Sequence, residues 1–463
     1  MMNIHTVANS RNAGPARLER LDAALLNERL PRYTSYPTAP HFSLDITAAQ
    51  YATWLALLGA DLPVSLYLHV PFCEALCSYC GCHTTVTQQP DRIARYADLL
   101  QQEIALAAAA IGRRQRVTHI HWGGGTPTAL APADFVAISR LIARRFVIAP
   151  DAEIAIEIDP RHFDETHAAA LVAAGVNRAS LGVQDFNPTV QEAIGRIQSF
   201  EQTARTVQLL RSSGIDGISF DLMYGLPYQT TESVVASIRQ ALTLEPKRIS
   251  LFGYAHVPWM KKHQTLLPES ALPDANARIE QMRAATEALI AAGYVAIGLD
   301  HFAKPDDPLA VSQAQGRLHR NFQGYTTDAA PALIGFGASS IGYLPQGYVQ
   351  NAPNLKTYRE AIESGIFATA RGICLSNDDR IRRNIIERLM CDLTVDLARY
   401  SRDPATTFST ELNALYRLAG EGLIVIDRTR ITVPETMRPL IRKICAVFDR
   451  YLAASETRHS RAV

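Results

Sequence analysis

Val64-Ser65-Leu66-Tyr67-Leu68-His69-Val70 alternates apolar and polar side chains and runs, through Pro71-Phe72, into Cys73-Glu74-Ala75-Leu76-Cys77-Ser78-Tyr79-Cys80-Gly81-Cys82. Alternation of period two reads as a strand. Similar runs recur at Val117 to Trp122, Glu153 to Asp159, Arg178 to Gln184, Gly217 to Met223 and Arg248 to Tyr254. Helical patterns lie between them, at Ile93 to Ala110, Phe135 to Phe146, Glu165 to Ala174 and Ser233 to Leu242. Strand–helix repeats with crossovers of this length imply a parallel sheet covered by helices. A further candidate strand, Tyr294 to Leu299, follows a helical pattern over Ala275 to Ala292. The repeats fall short of a closed eight-fold barrel, so the α/β fold expected is a partial, open one.

In barrels of this kind the chemistry collects at the C-terminal strand ends. Here the first strand runs into the cysteine loop and the second into Gly123-Gly124-Gly125-Thr126-Pro127. The third carries Glu157 and Asp159, the fourth ends at Gln184-Asp185, the fifth holds Asp221, and the sixth leads into Tyr254-Ala255-His256. Such endings point to one shared rim.

The cysteine spacing C-x3-C-x2-C places three thiols on one loop, where thiolates hold zinc or an iron–sulfur cluster. No second cysteine pair follows at zinc-ribbon or zinc-finger distance, and Cys374, Cys391 and Cys445 lie far along the chain. A cluster on three protein sulfurs keeps one iron open to another ligand. Glu157 alternates with Ile154, Ile156 and Ile158, so it needs a cationic or hydrogen-bonding partner in a sheet covered on both faces. A bound ammonium or a helix arginine would each serve. Asp221, between Phe220 and Leu222, follows the same logic, and Gln184 and Arg196 are less telling. Three consecutive glycines allow close backbone approach, to a ligand or around a tight turn.

The 463 residues exceed one ordinary core. With 46 basic and 45 acidic side chains the formal net charge is +1, which speaks against nucleic acid and anionic membrane as partners. Seven cysteines, odd in number and mostly clustered, do not resemble a secreted disulfide framework. The first twenty residues lack the apolar core of a signal peptide, and the longest apolar stretch, Ile104 to Ile111, is too short to span a bilayer. These readings point to the cytoplasm.

Residues 1 to 60 read as an N-terminal arm, with a short helical stretch near Leu21 to Leu30 and then Pro31-Arg32-Tyr33-Thr34-Ser35-Tyr36-Pro37-Thr38. Two prolines disfavour helix there. Composition favours a surface strap with its aromatics buried against the main domain; a reach of Arg32 over a pocket is the other reading. Residues 61 to 365 form the barrel with an extension. In the last part, 366 to 463, Ser376-Asn377-Asp378-Asp379 resembles a helix start leading into Arg380 to Met390. A helix near Thr410 to Gly420, a hairpin over Gly422 to Val433 and a helix behind Pro434 complete a small, mostly helical, winged-helix-like domain. It has no dense basic stretch, so a cap over the barrel mouth is expected rather than a DNA reader.

Cys73, Cys77 and Cys80, with Tyr79 before the last cysteine, resemble the signature of the radical S-adenosylmethionine enzymes. The resemblance implies a 4Fe-4S cluster whose open iron takes the amino and carboxylate groups of S-adenosyl-L-methionine, and cleavage that releases a 5′-deoxyadenosyl radical. Within that superfamily the arm Pro31 to Thr38, Cys80-Gly81-Cys82, His121 to Thr128, Gly182 to Phe186, Asp221 to Pro227 and His319 to Thr327 resemble the oxygen-independent coproporphyrinogen III oxidases, over nearly the whole chain. Gly253 and the tail Arg458 to Val463 match less well. The resemblance implies a partial (β/α)6 TIM-type barrel with an N-terminal arm and a C-terminal domain, and two bound S-adenosylmethionine molecules. Tyr67, Gly124, Glu157 and Ile341 would line the first, with Tyr79 against its adenine. Gly125, Thr126, Gln184, Arg196, Asp221 and Ala255 would line the second. Cys73, Cys77 and Cys80 would be the metal ligands, and Cys82 belongs to the motif without ligating.

The implied reaction is the oxidative decarboxylation of two propionates of coproporphyrinogen III to vinyl groups in haem biosynthesis, with an unidentified reductant and electron acceptor. Because that substrate carries four carboxylates, Arg32 and Arg320 are candidates to bind it. The alternative is a haem chaperone of the same superfamily, whose members lack the arm and the Cys82 position. A monomer is expected.

Overall fold

The computed structural model describes residues 28–452. Its central element is a sheet of twelve strands, in the order β12-β11-β10-β9-β1-β2-β3-β4-β5-β6-β8-β7. The strands are β1 (Val64–Val70), β2 (Arg116–Gly124), β3 (Val147–Ile158), β4 (Arg178–Gln184), β5 (Gly217–Tyr224), β6 (Arg248–Gly253), β7 (Val295–Ile297), β8 (His301–Ala303), β9 (Ala332–Phe336), β10 (Ile341–Leu344), β11 (Gly347–Asn351) and β12 (Thr369–Cys374). β1 to β6 pair in parallel, each with the next, as the alternating patterns require. The sheet does not close on itself: its edges are β7 and β12. The chain is thus a partial (β/α)6 barrel with an extension.

Two parts of this sheet differ from the sequence reading. Tyr294 to Leu299 shrinks to the three residues of β7, an antiparallel edge strand on β8 rather than a continuation of the parallel series. Beyond it the extension adds β9, which returns beside β1 in parallel, and β10 to β12, which follow as an antiparallel meander. The helix Phe200–Ser212, between β4 and β5, has no counterpart in the sequence reading. Two of its four buried positions, Thr203 and Thr206, are polar, which thins its apolar stripe; a Ser199/Gln202 capping box starts it. The other crossover helices, Pro90–Ile111, Pro132–Arg145, Glu165–Ala173 and Thr231–Leu242, match their patterns within a few residues.

The helices and sheet share one core, in which Trp122 of β2 is 1 % exposed and lies 4.4 Å from the Phe135 ring. A second core holds the last hundred residues. Helices Asn377–Asp392, Ser409–Gly420 and Ile441–Ala446 pack around Leu389, Leu415, Ile441 and Phe448, and a three-stranded sheet of Thr394–Asp396, Arg430–Thr432 and Val425–Asp427 forms the wing. The segment behind Pro434 begins as a tight turn, Glu435–Leu440, because Pro439 lacks the amide a regular helix would use.

The arm is where burial corrects expectation. Tyr33 and Tyr36 are buried chiefly in the second core, which also takes in Ala275 and Ile279 of the helix Ala275–Ala291. The Tyr33 hydroxyl donates to Asp449 Oδ2 at 3.1 Å, the Arg450 amide donates to the Tyr36 hydroxyl at 3.2 Å, and Arg442 Nε donates to the Pro31 carbonyl at 2.8 Å. The Leu21 to Leu30 stretch lies almost wholly outside the described residues, and the Arg458 to Val463 tail entirely so.

Candidate active site

The cysteine loop leaves β1 at the C-terminal end of the sheet. Phe72–Cys73 pairs with Thr85–Val86, and a turn closed by the Cys80 amide on the Cys77 carbonyl carries the middle of the loop. A distant segment buttresses it: Gln264 Nε2 donates to the Tyr79 and Ala255 carbonyls, His263 Nε2 to the Cys80 carbonyl at 2.7 Å, and Lys261 Nζ to the Cys82 carbonyl. Gln264 thereby ties Ala255 to the loop. The Tyr79 side chain packs with Val190, Ile194, Leu226 and Tyr254.

Each of the three candidate ligand sulfurs meets a donor. Thr126 Oγ1 lies 3.5 Å from Cys73 Sγ, and Arg196 Nη1 and Arg161 Nη2 lie 3.7 and 3.9 Å from Cys77 Sγ. The Cys82 amide donates to Cys80 Sγ at 3.4 Å. The Cys82 thiol also donates there, drawing the Cys80 thiol down to about 6, while its own is pushed up. Burial pushes the Cys73 thiol up to about 11, against the Thr126 hydrogen bond, and the Cys80 and Cys77 sulfurs add to the rise. No group of three side chains among the described residues is gathered tightly enough to grip a single metal ion. A four-iron cluster makes a different demand, since it spreads its thiolates over separate irons. Three sulfurs on one loop, each with a hydrogen-bond donor, fit that group.

The glycine-rich turn after β2 packs onto this loop. A Cβ at Gly125 would stand 2.6 Å from the Phe72 carbonyl oxygen, and one at Gly124, where φ is +121°, would stand 2.9 Å from the His69 ring. A side chain is excluded at Gly125 by the Phe72 backbone and at Gly124 by the His69 ring and the Val70 carbonyl. The Gly125 and Thr126 amides donate to the Val70 and Phe72 carbonyls, so the turn serves first to seat the cluster loop. The Gly124 amide donates to Glu157 Oε2 at 3.1 Å.

Glu157 is held on its other oxygen by His121 Nε2 at 3.0 Å. The partner is a neighbouring strand's histidine, not the helix arginine considered above. Tyr67 of β1 is in register with His121 of β2 and with Gly335 of β9, and the Tyr67 and His121 rings stack. A Cβ at Gly335 would touch the Ile341 backbone, so Ile341 stands beside this group too. The Tyr67 hydroxyl lies 3.0 Å from His69 Nδ1, and burial keeps its proton firmly bound.

The second set gathers one strand pair further on. Gln184 adopts φ +67° at a bulge between β4 and β5, which folds its amide back towards Gly182. Arg196 Nη2 donates to the Gly182 carbonyl at 2.7 Å. Asp221, in register with Gly182, accepts from Ser180 Oγ at 3.1 Å and also from Ser250. Burial, with Glu157 adding its charge, pushes the Asp221 carboxyl up to about 6. Arg196 bridges the two sets because it also meets Cys77 and Asp159.

Arg32 and Arg320 are brought together. Arg320 Nη2 donates to the Arg32 carbonyl, its guanidinium lies 4.4 Å over the Tyr325 ring, and Arg32 Nη2 donates to the Gly253 carbonyl at 3.2 Å. A side chain at Gly253 would collide with the Tyr224 hydroxyl at 2.8 Å, which accounts for glycine there. Asp300, hydrogen-bonded to His301 and facing both guanidiniums, is held down at about 2 even though burial opposes it. Arg320 Nε and Nη1 are buried with no hydrogen-bond partner among the described residues. The sequence reading missed His69, His121, Ser180, Ser250 and Arg161. Inward positions next to Tyr67 and Glu157 on alternating strands were the available signal for the two histidines.

Residues 67–241 match the family model of the radical SAM superfamily. The chain is 52 % identical over 440 residues to the oxygen-independent coproporphyrinogen III oxidase of Bradyrhizobium diazoefficiens, covering 94 % of this chain and 98 % of that one. It is 42 % identical over 426 residues to the enzyme of that name from Salmonella typhimurium, covering 91 % and 93 %. Among solved structures, coproporphyrinogen III oxidase from Escherichia coli, described as a radical SAM enzyme, superposes with a TM-score of 0.87 at 39 % identity, over 92 % of this chain and all of that one.

Proposed function

The chain belongs to the oxygen-independent coproporphyrinogen III oxidases of the radical SAM superfamily, and we propose that it converts two propionate side chains of coproporphyrinogen III to vinyl groups, giving protoporphyrinogen IX. The relatives named above carry the oxidase name, and none supports the haem-chaperone alternative. A bound 4Fe-4S cluster and S-adenosylmethionine would supply a 5′-deoxyadenosyl radical for hydrogen abstraction at the propionate β-carbon. Cys73, Cys77 and Cys80 would hold the cluster.

Tyr67, Gly124, Glu157 and Ile341 would hold the first S-adenosylmethionine. Glu157, positioned by His121 and the Gly124 amide, would accept from its ammonium. Gln184, Arg196, Asp221 and Ala255, with Gly125 and Thr126, would line a second molecule, where the Asp221 carboxylate would accept from ribose hydroxyls. Arg32 and Arg320 would bind substrate carboxylates. One observation carries the substrate reading: Arg320 presents two buried N–H donors that have no partner among the described residues, beside a second arginine. A planar guanidinium fork matches a carboxylate.

The division into an arm over 1–60, a barrel over 61–365 and a cap over 366–463 belongs to the same reading. So do a cytoplasmic monomer and a separate reductant and acceptor.

The test is an anaerobic assay of reconstituted, reduced protein with S-adenosylmethionine and coproporphyrinogen III. Both 5′-deoxyadenosine and protoporphyrin, read after oxidation, are expected, with Cys77→Ser silent. Formation of 5′-deoxyadenosine without decarboxylated porphyrin would mean a different substrate. Tight haem binding with neither product would favour the chaperone.

A further inference from the structure

The end of β3 and the residue after it carry two carboxylates, two residues apart. Glu157 serves the group around Tyr67; Asp159, one step further, anchors something else. Its carboxylate accepts from Arg161 Nε at 2.9 Å, from Arg161 Nη2 at 2.6 Å and from Arg196 Nη1 at 3.2 Å, while Arg196 Nη2 lies 3.1 Å away. It also accepts from the Arg161 amide, capping the short turn Pro160–His162 that aims the Arg161 side chain back. Asp159, Arg196 and Cys77 are all below a tenth exposed, and the Arg161 side chain is 14 % exposed.

One guanidinium would balance Asp159. Two are present, and both turn a nitrogen towards the same sulfur, Cys77 Sγ. The local sum is two positive charges against one negative, beside a single thiol. Cys73 and Cys80 take no hydrogen bond from a guanidinium among the described residues; their donors are Thr126 and Cys82. Hydrogen bonds to cluster sulfurs and nearby net charge set the potential of an iron–sulfur centre, because reduction adds negative charge that fixed positive charge stabilises.

We infer that Arg161 is a positioning residue that, with Arg196 on the Asp159 anchor, caps the Cys77 sulfur and holds the cluster's reduction potential up. The inference rests on the reading that Cys73, Cys77 and Cys80 carry a 4Fe-4S cluster. Arg161 donates an N–H to the Cys77 sulfur without ligating iron, and its charge eases the entry of one electron from the external reductant. Arg196 is fixed in the same act, since both guanidiniums share one carboxylate.

The test compares reconstituted native, Arg161→Gln and Arg161→Lys proteins. Iron content is measured first, then the midpoint potential by redox titration followed by electron paramagnetic resonance of the reduced cluster. Arg161→Gln is expected to load iron and to need a more negative potential, about a tenfold loss in the reduction equilibrium, roughly 59 mV for one electron. Arg161→Lys is expected to lie between, because the ammonium keeps the charge but the shorter side chain sets it further from the Cys77 sulfur. An unchanged midpoint in Arg161→Gln at full iron content overturns the inference. So does loss of S-adenosylmethionine affinity without a change of potential, which would make Arg161 a cofactor contact. Should Arg161→Gln not load iron, a native midpoint in Arg161→Lys overturns it instead. Failure of the native protein to assemble a cluster would remove the underlying reading and is seen before any variant is compared.

Discussion

The Tyr67 hydroxyl hydrogen-bonds His69 Nδ1 at 3.0 Å, while His69 Nε2 lies 3.1 Å from the His83 backbone carbonyl. A carbonyl can only accept, so Nε2 carries the hydrogen and Nδ1 is the acceptor. Tyr67 must therefore donate to His69, and its oxygen turns only lone pairs towards whatever lies in front of it. Burial holds the His69 imidazole down at about 4, so this tautomer persists at neutral pH.

Replacing His69 by phenylalanine frees the Tyr67 hydroxyl to rotate. S-adenosylmethionine binding is expected to weaken about fivefold, the value of one neutral hydrogen bond of about 1 kcal/mol. Equilibrium binding to the reconstituted protein measures it. Stability carries a second signature. The folded His69 stays unprotonated between its ordinary 6.5 and about 4, where the unfolded chain takes up a proton. Native stability should fall as pH drops through that window, and the phenylalanine variant should lose less.

Arg320→Gln keeps the bulk and removes the charge. Affinity for coproporphyrinogen III is expected to fall by a factor on the order of ten to a hundred, the value of a charge-assisted pair. The cofactor is still cleaved, so 5′-deoxyadenosine should form while protoporphyrin lags. An unchanged KM for the porphyrinogen would remove Arg320 from the substrate site. Arg32→Gln is tested in the same assay.

Asp221 ionises near 6, because burial and the Glu157 charge both oppose its ionisation. Binding of a second S-adenosylmethionine through ribose hydroxyls should strengthen on the order of tenfold from pH 5 to pH 7.5, as the carboxylate forms. Calorimetry at the two pH values, with stoichiometry fitted, checks it. Asp221→Asn should flatten the dependence, and an equal slope in that variant would assign the titration elsewhere.

Glu103 is wholly buried at the seam between the helix Pro90–Ile111 and the segment after β9. It accepts from the Gly337 amide, from Asn351 Nδ2 and from the Tyr358 hydroxyl, and burial pushes its carboxyl up to about 7. Glu103→Ala leaves three buried donors unmet and should cost about 3 kcal/mol at pH 5. The folded chain keeps a proton that the unfolded chain releases between the ordinary 4.5 and about 7. Glu103 therefore contributes most below 4.5, and that contribution is lost as pH rises through 7. Denaturant unfolding should show a smaller penalty for Glu103→Ala at pH 8 than at pH 5.

The six parallel strands and most of their helices were legible because period-two and helical patterns follow from burial alone. So were the cysteine loop, Glu157 and Asp221, since a carboxylate among buried apolar residues is conspicuous. What the residues concealed was pairing. The direction of β7 depends on which strand it meets, and three residues carry too short a pattern to tell. His121 as the partner of Glu157 is a matter of register between strands thirty-six positions apart. The glycine turn left open whether a ligand or the chain itself makes the close approach, and the Phe72 carbonyl is one such neighbour. Arg161 is hidden by a single turn that reverses its direction, which no local periodicity reports. The tyrosines of the arm announced burial but not the surface that buries them.

That last feature has a temporal side. Arg32 is anchored by its neighbours: Tyr33 bonds Asp449, and Pro31 is gripped by Arg442. In a chain made from its amino end, the six parallel strands are finished once residue 253 has emerged. Arg32 cannot take up its place over Gly253 until nearly two hundred further residues have followed. A ribosome-bound nascent chain would thus carry a cluster loop with its glycine turn already seated while the arginine pair at the mouth is still unassembled. Synthesis itself imposes an order in which the cysteine loop and its glycine turn are seated before the arginine pair is assembled, and truncation between residues 253 and 449 would leave the first without the second.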